Sequence, residues 1–187
     1  MQALQLAFGP EAVFTSDIGN HLLFAARHLE AGFPGTFHMS LGLGSMGSGI
    51  GLAMGLAAAY GSTRRVVGIC GDGGLLMVGN ELATCARYRI PVVLAVFDNA
   101  SLGMVDHGME HTFGRSSGCE VPRVDIVSYV TSLGVEVVPV RSSADLGAVA
   151  EAPTEGPKVL WIPIDHAVRA GNPRVHGFAT QERRHAQ

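Results

Sequence analysis

The sequence predicts an α/β fold, a doubly wound parallel sheet with helices on both faces. Three observations lead there. Segments of strand character alternate along the chain with segments of helical length. Two of the strand segments, residues 65–70 and 91–97 (PVVLAVF), are continuous apolar runs, the pattern of strands buried on both faces. Acidic or amide residues follow the strand-like runs at Asp17, Asp72 and Asp98-Asn99, where open parallel sheets place their ligands, so these residues are expected to face one crevice.

Taken in order, residues 11–16 (EAVFTS) read as a short buried strand, and Asp17-Ile18-Gly19-Asn20 as a turn. A helix is predicted over 21–30 and a short extended run over 36–41. Residues 42–47 form a glycine-rich loop. The helix over 48–60 contains Gly51, Ala53, Gly55, Ala57 and Ala58, small residues that permit close packing. A strand over 65–70, a helix over 80–89 and the strand over 91–97 follow. The series continues with a helix over 125–133, a strand over 135–140 and a helix over 143–151. Ser142 and Asp145 have the spacing to cap that last helix. Residues 158–164 (KVLWIPI) close the sheet. Residues 1–168 are therefore expected to form one domain. Residues 169–187 are polar with little periodicity, and are expected to be a tail or an arm onto a partner.

Composition narrows the function. The chain has 187 residues, 47% hydrophobic and 16% charged, enough for a core that needs no staples. A net charge of −3 and the lack of a basic stripe speak against nucleic acid or an anionic membrane as partner. The N-terminus lacks the pattern of a signal peptide, and the most apolar segment, 50–60, is too short to span a bilayer. Cys70, Cys85 and Cys119 make an odd count without CxxC spacing, which predicts reduced thiols and a cytoplasmic location. The 25 glycines cluster at 42–55 and 71–79, marking special backbone sites rather than disorder.

Asp72 and Asn99 lie 27 positions apart, each just beyond a strand. Two adjacent parallel strands would bring them together. One carboxylate and one amide oxygen form a hard, all-oxygen pair suited to Mg²⁺ or Ca²⁺, with phosphate, water and a backbone carbonyl completing the shell. Gly71, Gly73 and Gly74 remove side chains where a phosphate would approach. Taken singly, either residue is as well explained as a turn or helix-cap residue.

GDG followed by this Asp98-Asn99 pair resembles the signature of thiamine-diphosphate (ThDP) enzymes. Gly44-Ser45-Met46-Gly47 resembles the loop that precedes it in 2-oxo acid decarboxylases and acetolactate synthases. Residues 15–21 (TSDIGNH) and 98–115 (DNASLGMVDHGMEHTFGR) resemble two further stretches of those enzymes, so the likeness covers most of 11–165. It implies the ThDP-binding fold for residues 1–168, as a diphosphate-binding domain. It also implies that Asp72 and Asn99 bind Mg²⁺, with the Ser101 carbonyl as a third protein ligand. Gly71, Gly73 and Gly74 would lie along the diphosphate, with Asn20 and His21 reaching it from the first turn. Met46 would be wedged under the cofactor, holding it bent so that its amino nitrogen sits beside the thiazolium C2. The Gly44 carbonyl and the Met46 N–H would bind the pyrimidine, Ser45 lies in the same loop, and Leu102, Gly103 and Met104 belong to the cofactor-binding stretch.

The activity implied is decarboxylation of a 2-oxo acid, with release of an aldehyde or transfer of the acyl carbanion to an acceptor. Family members need a glutamate on the pyrimidine ring, supplied by a pyrimidine-binding domain. Glu11, Glu30, Glu81, Glu110, Glu120, Glu136, Glu151 and Glu155 all stand in the wrong context for it. The resemblance thus implies a split enzyme, in which this chain is a β-type subunit of an α₂β₂ or similar assembly and a partner supplies the glutamate. Met1 just before the first strand favours a natural short subunit over an excised domain. The GSMG form also occurs in two-subunit sulfopyruvate and phosphonopyruvate decarboxylases, which points to a short acidic 2-oxo acid, while acetolactate-type carboligation stays equally open.

Other readings compete. Residues 42–47 spell GxGxxG, and Asp72 follows the next strand, as in an NAD(P)-binding oxidoreductase domain. That reading leaves Asp98-Asn99 unexplained. His107 and His111 in HGMEH stand at i and i+4 and could share a metal, but Gly108 weakens the helix and no third ligand is evident. Either histidine could instead move a proton near the substrate. A non-catalytic ThDP-binding paralogue is a third reading, disfavoured by the intact Asp72, Asn99 and Met46. Cys70, Trp161 and Phe97 read as core, His38 as a satisfied structural histidine, and Cys119 as a thiol that could be exposed but lacks an activating neighbour.

Overall fold

The computed structural model describes residues 1–152 and 155–170. A first helix, α1 (Gln2–Phe8), precedes β1 (Val13–Ser16), α2 (Asn20–His28), β2 (Phe37–Met39) and α3 (Ser48–Tyr60). Next come β3 (Val66–Gly71), α4 (Asp72–Val78), a 3₁₀ turn (Gly79–Glu81), α5 (Leu82–Tyr88) and β4 (Val92–Asp98). The chain continues through α6 (Gly103–Phe113), α7 (Ile126–Ser132), β5 (Glu136–Pro139), α8 (Ser143–Glu151) and β6 (Lys158–Pro163). The six strands form one sheet of order β2-β1-β3-β4-β6-β5, and every pairing is parallel.

Period-two alternation along the strands feeds two cores. On β4, Val92, Leu94 and Val96 join one apolar cluster with Ile50, Leu75, Leu82 and Val130 from the helices on that face. Val93 and Ala95 join the other, with Leu4, Phe8, Ala25 and Leu146. Both faces of the central strands are thus covered, which is why these segments read as unbroken apolar runs. The Ser142–Asp145 capping box forms as expected.

Several elements differ from expectation. α1 is an element that the sequence pattern does not mark; its Leu4 and Phe8, one turn apart, seal the second core. The GDGG segment, which the sequence pattern leaves outside any helix, opens α4 directly at Asp72, because the LLMV that follows supplies an apolar face. The helix expected over 80–89 begins as a 3₁₀ turn and becomes α-helical only at Leu82. α6 runs unbroken through Gly108. In α3 the close packing belongs to Gly49, Ala53 and Ala57, spaced four apart on one face, and not to Gly51, Gly55 and Ala58, which are exposed. A Cβ at Gly49 would lie 2.4 Å from the Asp17 Cα. The tail expected over 169–187 lies, beyond Ala170, outside the described residues. Among the described residues no helix is long and apolar enough to cross a membrane.

Candidate cofactor site

Parallel registry places the site. Cys70 pairs with Val96 and Gly71 with Phe97, so Asp72 and Asp98 emerge one step later from neighbouring strands, with Asn99 next. A cavity of about 520 Å³ opens there, at the carboxyl ends of the central strands. α2, α4 and α6 all begin at it, with Asn20, Asp72 and Gly103 as their first residues. Their free N–H groups favour an anionic ligand.

The cavity gathers most of the residues singled out from the sequence. Asn20, His21, Gly44 and Met46 line it from the first half of the chain. Gly71, Asp72, Gly73 and Gly74 form its base, and Asn99, Ser101, Leu102, Gly103 and Met104 its far wall. Ser45 does not line it. The structure adds Ile18, Phe24 and Phe97, together with Ile164, Asp165 and Val168 from the segment after β6. The apolar members look like core in a sequence, and the last segment has no motif. Phe97, expected as a core aromatic, thus also faces the cavity.

Of the three aspartates expected to face the crevice, only Asp72 does so. Asp17 is fully buried, and its carboxylate accepts from the Gly47 N–H at 2.8 Å and the Gly49 N–H at 3.0 Å. It anchors the glycine-rich loop to β1. Gly47 takes the left-handed conformation (φ 85°), and a Cβ there would meet Val78 at 2.8 Å. Asp98 accepts from Trp161 Nε1 at 2.8 Å and from the Ala100 N–H at 3.3 Å. Trp161 is therefore a hydrogen-bond donor as well as a core aromatic. Ala100 has φ 53°, and the loop holding it is tied down by Leu102 N–H to Cys119 O and Val121 N–H to Ala100 O, at 2.8 and 3.0 Å.

Asp72 accepts from its neighbour Gly73 N–H at 2.9 Å, stands beside the Ala100 N–H and the Asp98 carboxyl, and lines the cavity. Burial, with the Asp98 carboxylate nearby, pushes its pKa up to about 6. Among the described residues no Lys or Arg lines the cavity. A diphosphate here would face Asp72 and Asp165 without a cationic side chain, and a divalent cation reconciles them. The cradle is tight as well. A Cβ on Gly73 would meet Leu102 at 2.8 Å and Met46 at 3.3 Å, and one on Gly103 would meet the amides of Asn20 and Asn99 at 2.9 and 3.3 Å. His21 Nε2 is buried without a partner, and burial pulls the His21 pKa down to about 4 despite the Asp17 carboxylate. In the tautomer that carries its proton on Nε2, this ring would donate to a phosphate oxygen. The residues present thus fit both ThDP and Mg²⁺.

The pairing of His107 with His111 does not form. His111 is exposed on α6, whereas His107 turns inward to Asn20 Nδ2 and stands beside His166 and Asp106. His38 is held by the Gly35 carbonyl at 2.9 Å. Cys119 is buried beside Met109 and Ser116 rather than exposed, and all three cysteines are free.

Comparison with known proteins agrees with this geometry. Residues 17–162 match the family described as "Thiamine pyrophosphate enzyme, C-terminal TPP binding domain", thiamine pyrophosphate being ThDP under another name. The acetolactate synthase of Bacillus subtilis (strain 168) is 29% identical over 169 residues, covering 89% of this chain and 30% of that protein. The acetolactate synthase large subunit of Parasynechococcus marenigrum (strain WH8102) is 36% identical over 152 residues, 78% of this chain and 24% of its own length. The chain thus spans less than a third of these relatives. The crystal structure of benzoylformate decarboxylase from Polynucleobacter necessarius superposes with a TM-score of 0.80 at 22% identity, over 90% of this chain and 33% of that one, a likeness of fold. The strand order also differs from the 3-2-1-4-5-6 of dinucleotide-binding sheets, and the GxGxxG stretch follows the edge strand β2.

Proposed function

Since this chain belongs to the thiamine pyrophosphate enzymes, as their C-terminal TPP-binding domain, we propose that it serves a ThDP- and Mg²⁺-dependent enzyme that decarboxylates a 2-oxo acid. The product would be released as an aldehyde or its acyl group passed to an acceptor, as in acetolactate-type carboligation. The observation that supports this most is the buried Asp72 carboxylate, open to a cavity with no cationic side chain and flanked by Asn99 and Ser101. In this reading Asp72, the Asn99 side chain and the Ser101 carbonyl hold Mg²⁺. Asn20, His21 and the glycines at 71, 73 and 74 hold the diphosphate, and Gly44 and Met46 the pyrimidine. Bound ThDP supplies the electron sink that lets a 2-oxo acid lose carbon dioxide. The chain's own task is to orient that group, and its apolar wall of Phe24, Phe97 and Ile164 excludes water from it.

The domain would occupy residues 1–168, with 169–187 as a tail. We further propose a split enzyme, α₂β₂ or similar, in which a pyrimidine-binding subunit supplies the activating glutamate. Among the described residues no glutamate lines the cavity. Leu43, Val105, Ile164 and Val168 are exposed, and the last three stand on the cavity wall, an apolar rim suited to a covering domain. Calorimetric titration of ThDP with Mg²⁺ into the chain, alone and with a candidate pyrimidine-domain protein, tests both parts. ThDP binding that tightens with the partner is the expected result. Binding of NAD(P) in place of ThDP would overturn the cofactor assignment, and full affinity and turnover without a partner would overturn the split arrangement.

A further inference from the structure

We propose that Asp106, His107 and His166 form a second metal site, for a divalent transition ion such as Zn²⁺ or Co²⁺, at the edge of the cofactor cavity. One ligand atom from each residue lies within 4.8 Å of the others. Asp106 and His107 are consecutive on α6, and His166 reaches them from the segment after β6, so the site is assembled from two elements distant in sequence. Their neighbours Val105 and Asp165 line the cavity.

The hydrogen bonds around the two rings select which nitrogens are free. His107 Nδ1 stands 3.1 Å from the Asn20 amide, and His166 Nδ1 3.4 Å from the Asn99 amide. Both rings therefore turn Nε2 away from those amides. His166 Nε2 lies 2.8 Å from Asp106 Oδ2. His107 Nε2 is buried and has no partner among the described residues, an unmet polar atom that a metal ion would satisfy. A metal-binding imidazole needs its other nitrogen protonated and held by an acceptor. The amide oxygens of Asn20 and Asn99 supply that acceptor once oxygen and nitrogen exchange places, the Asn99 oxygen keeping its second lone pair for the proposed Mg²⁺.

The donor set decides the ion. Two imidazoles and one carboxylate suit zinc-like and other first-row ions, whereas Mg²⁺ takes oxygen ligands. Three protein donors leave at least one position of a four-coordinate ion for water or an anionic ligand. The site shares no ligand with Asp72, Asn99 and Ser101, although the Asn99 amide stands between the two positions.

The test is titration of the untagged full chain with Co²⁺, followed by its visible ligand-field absorption, with Zn²⁺ as competitor. One equivalent is expected to bind and to be displaced by Zn²⁺. His107→Ala and His166→Ala should each weaken binding by about tenfold or more, and Asp72→Asn should leave it within about twofold. His166 is 43% exposed at its side chain, so that variant keeps the fold, and thermal melts of each variant check this. Absence of a stoichiometric Co²⁺ spectrum in the wild-type chain would overturn the site. So would loss of the spectrum in Asp72→Asn with retention in His107→Ala, which would put the ion at the Asp72 position. Weaker Mg²⁺ binding in His166→Ala without any Co²⁺ binding to the wild type would also overturn it, and would make the three residues a device for orienting Asn99. ThDP–Mg²⁺ affinity, measured on the same samples, reports separately on the proposed function.

Discussion

Asp17 and Asp72 look alike in the sequence: each is an aspartate directly after an apolar strand, and each is buried, at 0% and 3% exposure. Their surroundings differ completely. Asp17 spends its carboxylate on two backbone N–H groups of the glycine-rich loop, while Asp72 receives one N–H from its own neighbour, stands against the Asp98 carboxyl that raises its pKa, and lines the cavity. A buried carboxylate with its hydrogen bonds met is part of the frame, and one left unmet is a place for a ligand. Substitution should separate the two. Asp17→Ala is expected to cost about 3 to 5 kcal/mol, since it removes two charge-assisted bonds and strands two buried N–H groups. A denaturant midpoint unchanged from wild type would show that the loop does not hang on Asp17.

Asp72→Ala should do the reverse. The fold should persist at neutral pH, while Mg²⁺-dependent ThDP affinity falls at least about a hundredfold, or roughly 2.7 kcal/mol. Asn99→Ala is expected to behave in the same way. Calorimetry reads both variants, and full Mg²⁺-dependent affinity in either would remove that residue from the site.

The pH dependence of the ligand-free chain offers a finer comparison. The Asp72 pKa is raised to about 6 by burial and Asp98, so between about 4 and 6 the native state holds a proton that the unfolded chain releases. Stability from this group is full at low pH and lost as pH rises through that window. His21 has the opposite sign. Burial lowers its pKa to about 4 from an unfolded value near 6.5, so its stability is full above pH 6.5 and lost as pH falls towards 4. Each effect amounts to about 3 kcal/mol, and the two largely offset in the wild-type chain. Asp72→Ala should therefore expose a stability that rises from pH 4 to 6.5, and His21→Gln one that falls from pH 4 to 6. Parallel profiles for the two variants would contradict the assignment.

The sheet and most of the cavity wall were legible because each left a local mark: continuous apolar runs for β3 and β4, glycines at 71, 73 and 74, and the Asp72–Asn99 spacing. What stayed hidden depends on contacts between distant segments. Phe24 and Ile164 are apolar residues like any core residue until the fold turns them to the cavity. The role of Asp17 needs the approach of Gly47 and Gly49, about thirty positions away. His107 stands at i and i+4 with His111 in the sequence, whereas its spatial neighbour His166 lies beyond β6. Glycine content masked α4 and α6, since low intrinsic propensity gives way to packing in the folded chain.

The smallest expected difference lies between two adjacent residues of the glycine-rich loop. Ser45 and Met46 both belong to the stretch that resembles the ThDP loop, yet only Met46 lines the cavity, with its Cε within 3.3 Å of where a Gly73 Cβ would be. Ser45 is exposed, and its carbonyl accepts from Ser48 Oγ at 2.7 Å, a bond its side chain does not make. Met46→Ala removes an apolar support from a site where two glycines already leave room, and should weaken ThDP binding by about tenfold, near 1.4 kcal/mol. Ser45→Ala should leave affinity within about twofold. Equal losses in the two variants would mean that the loop acts through its backbone alone, and that Met46 is not the support its position indicates.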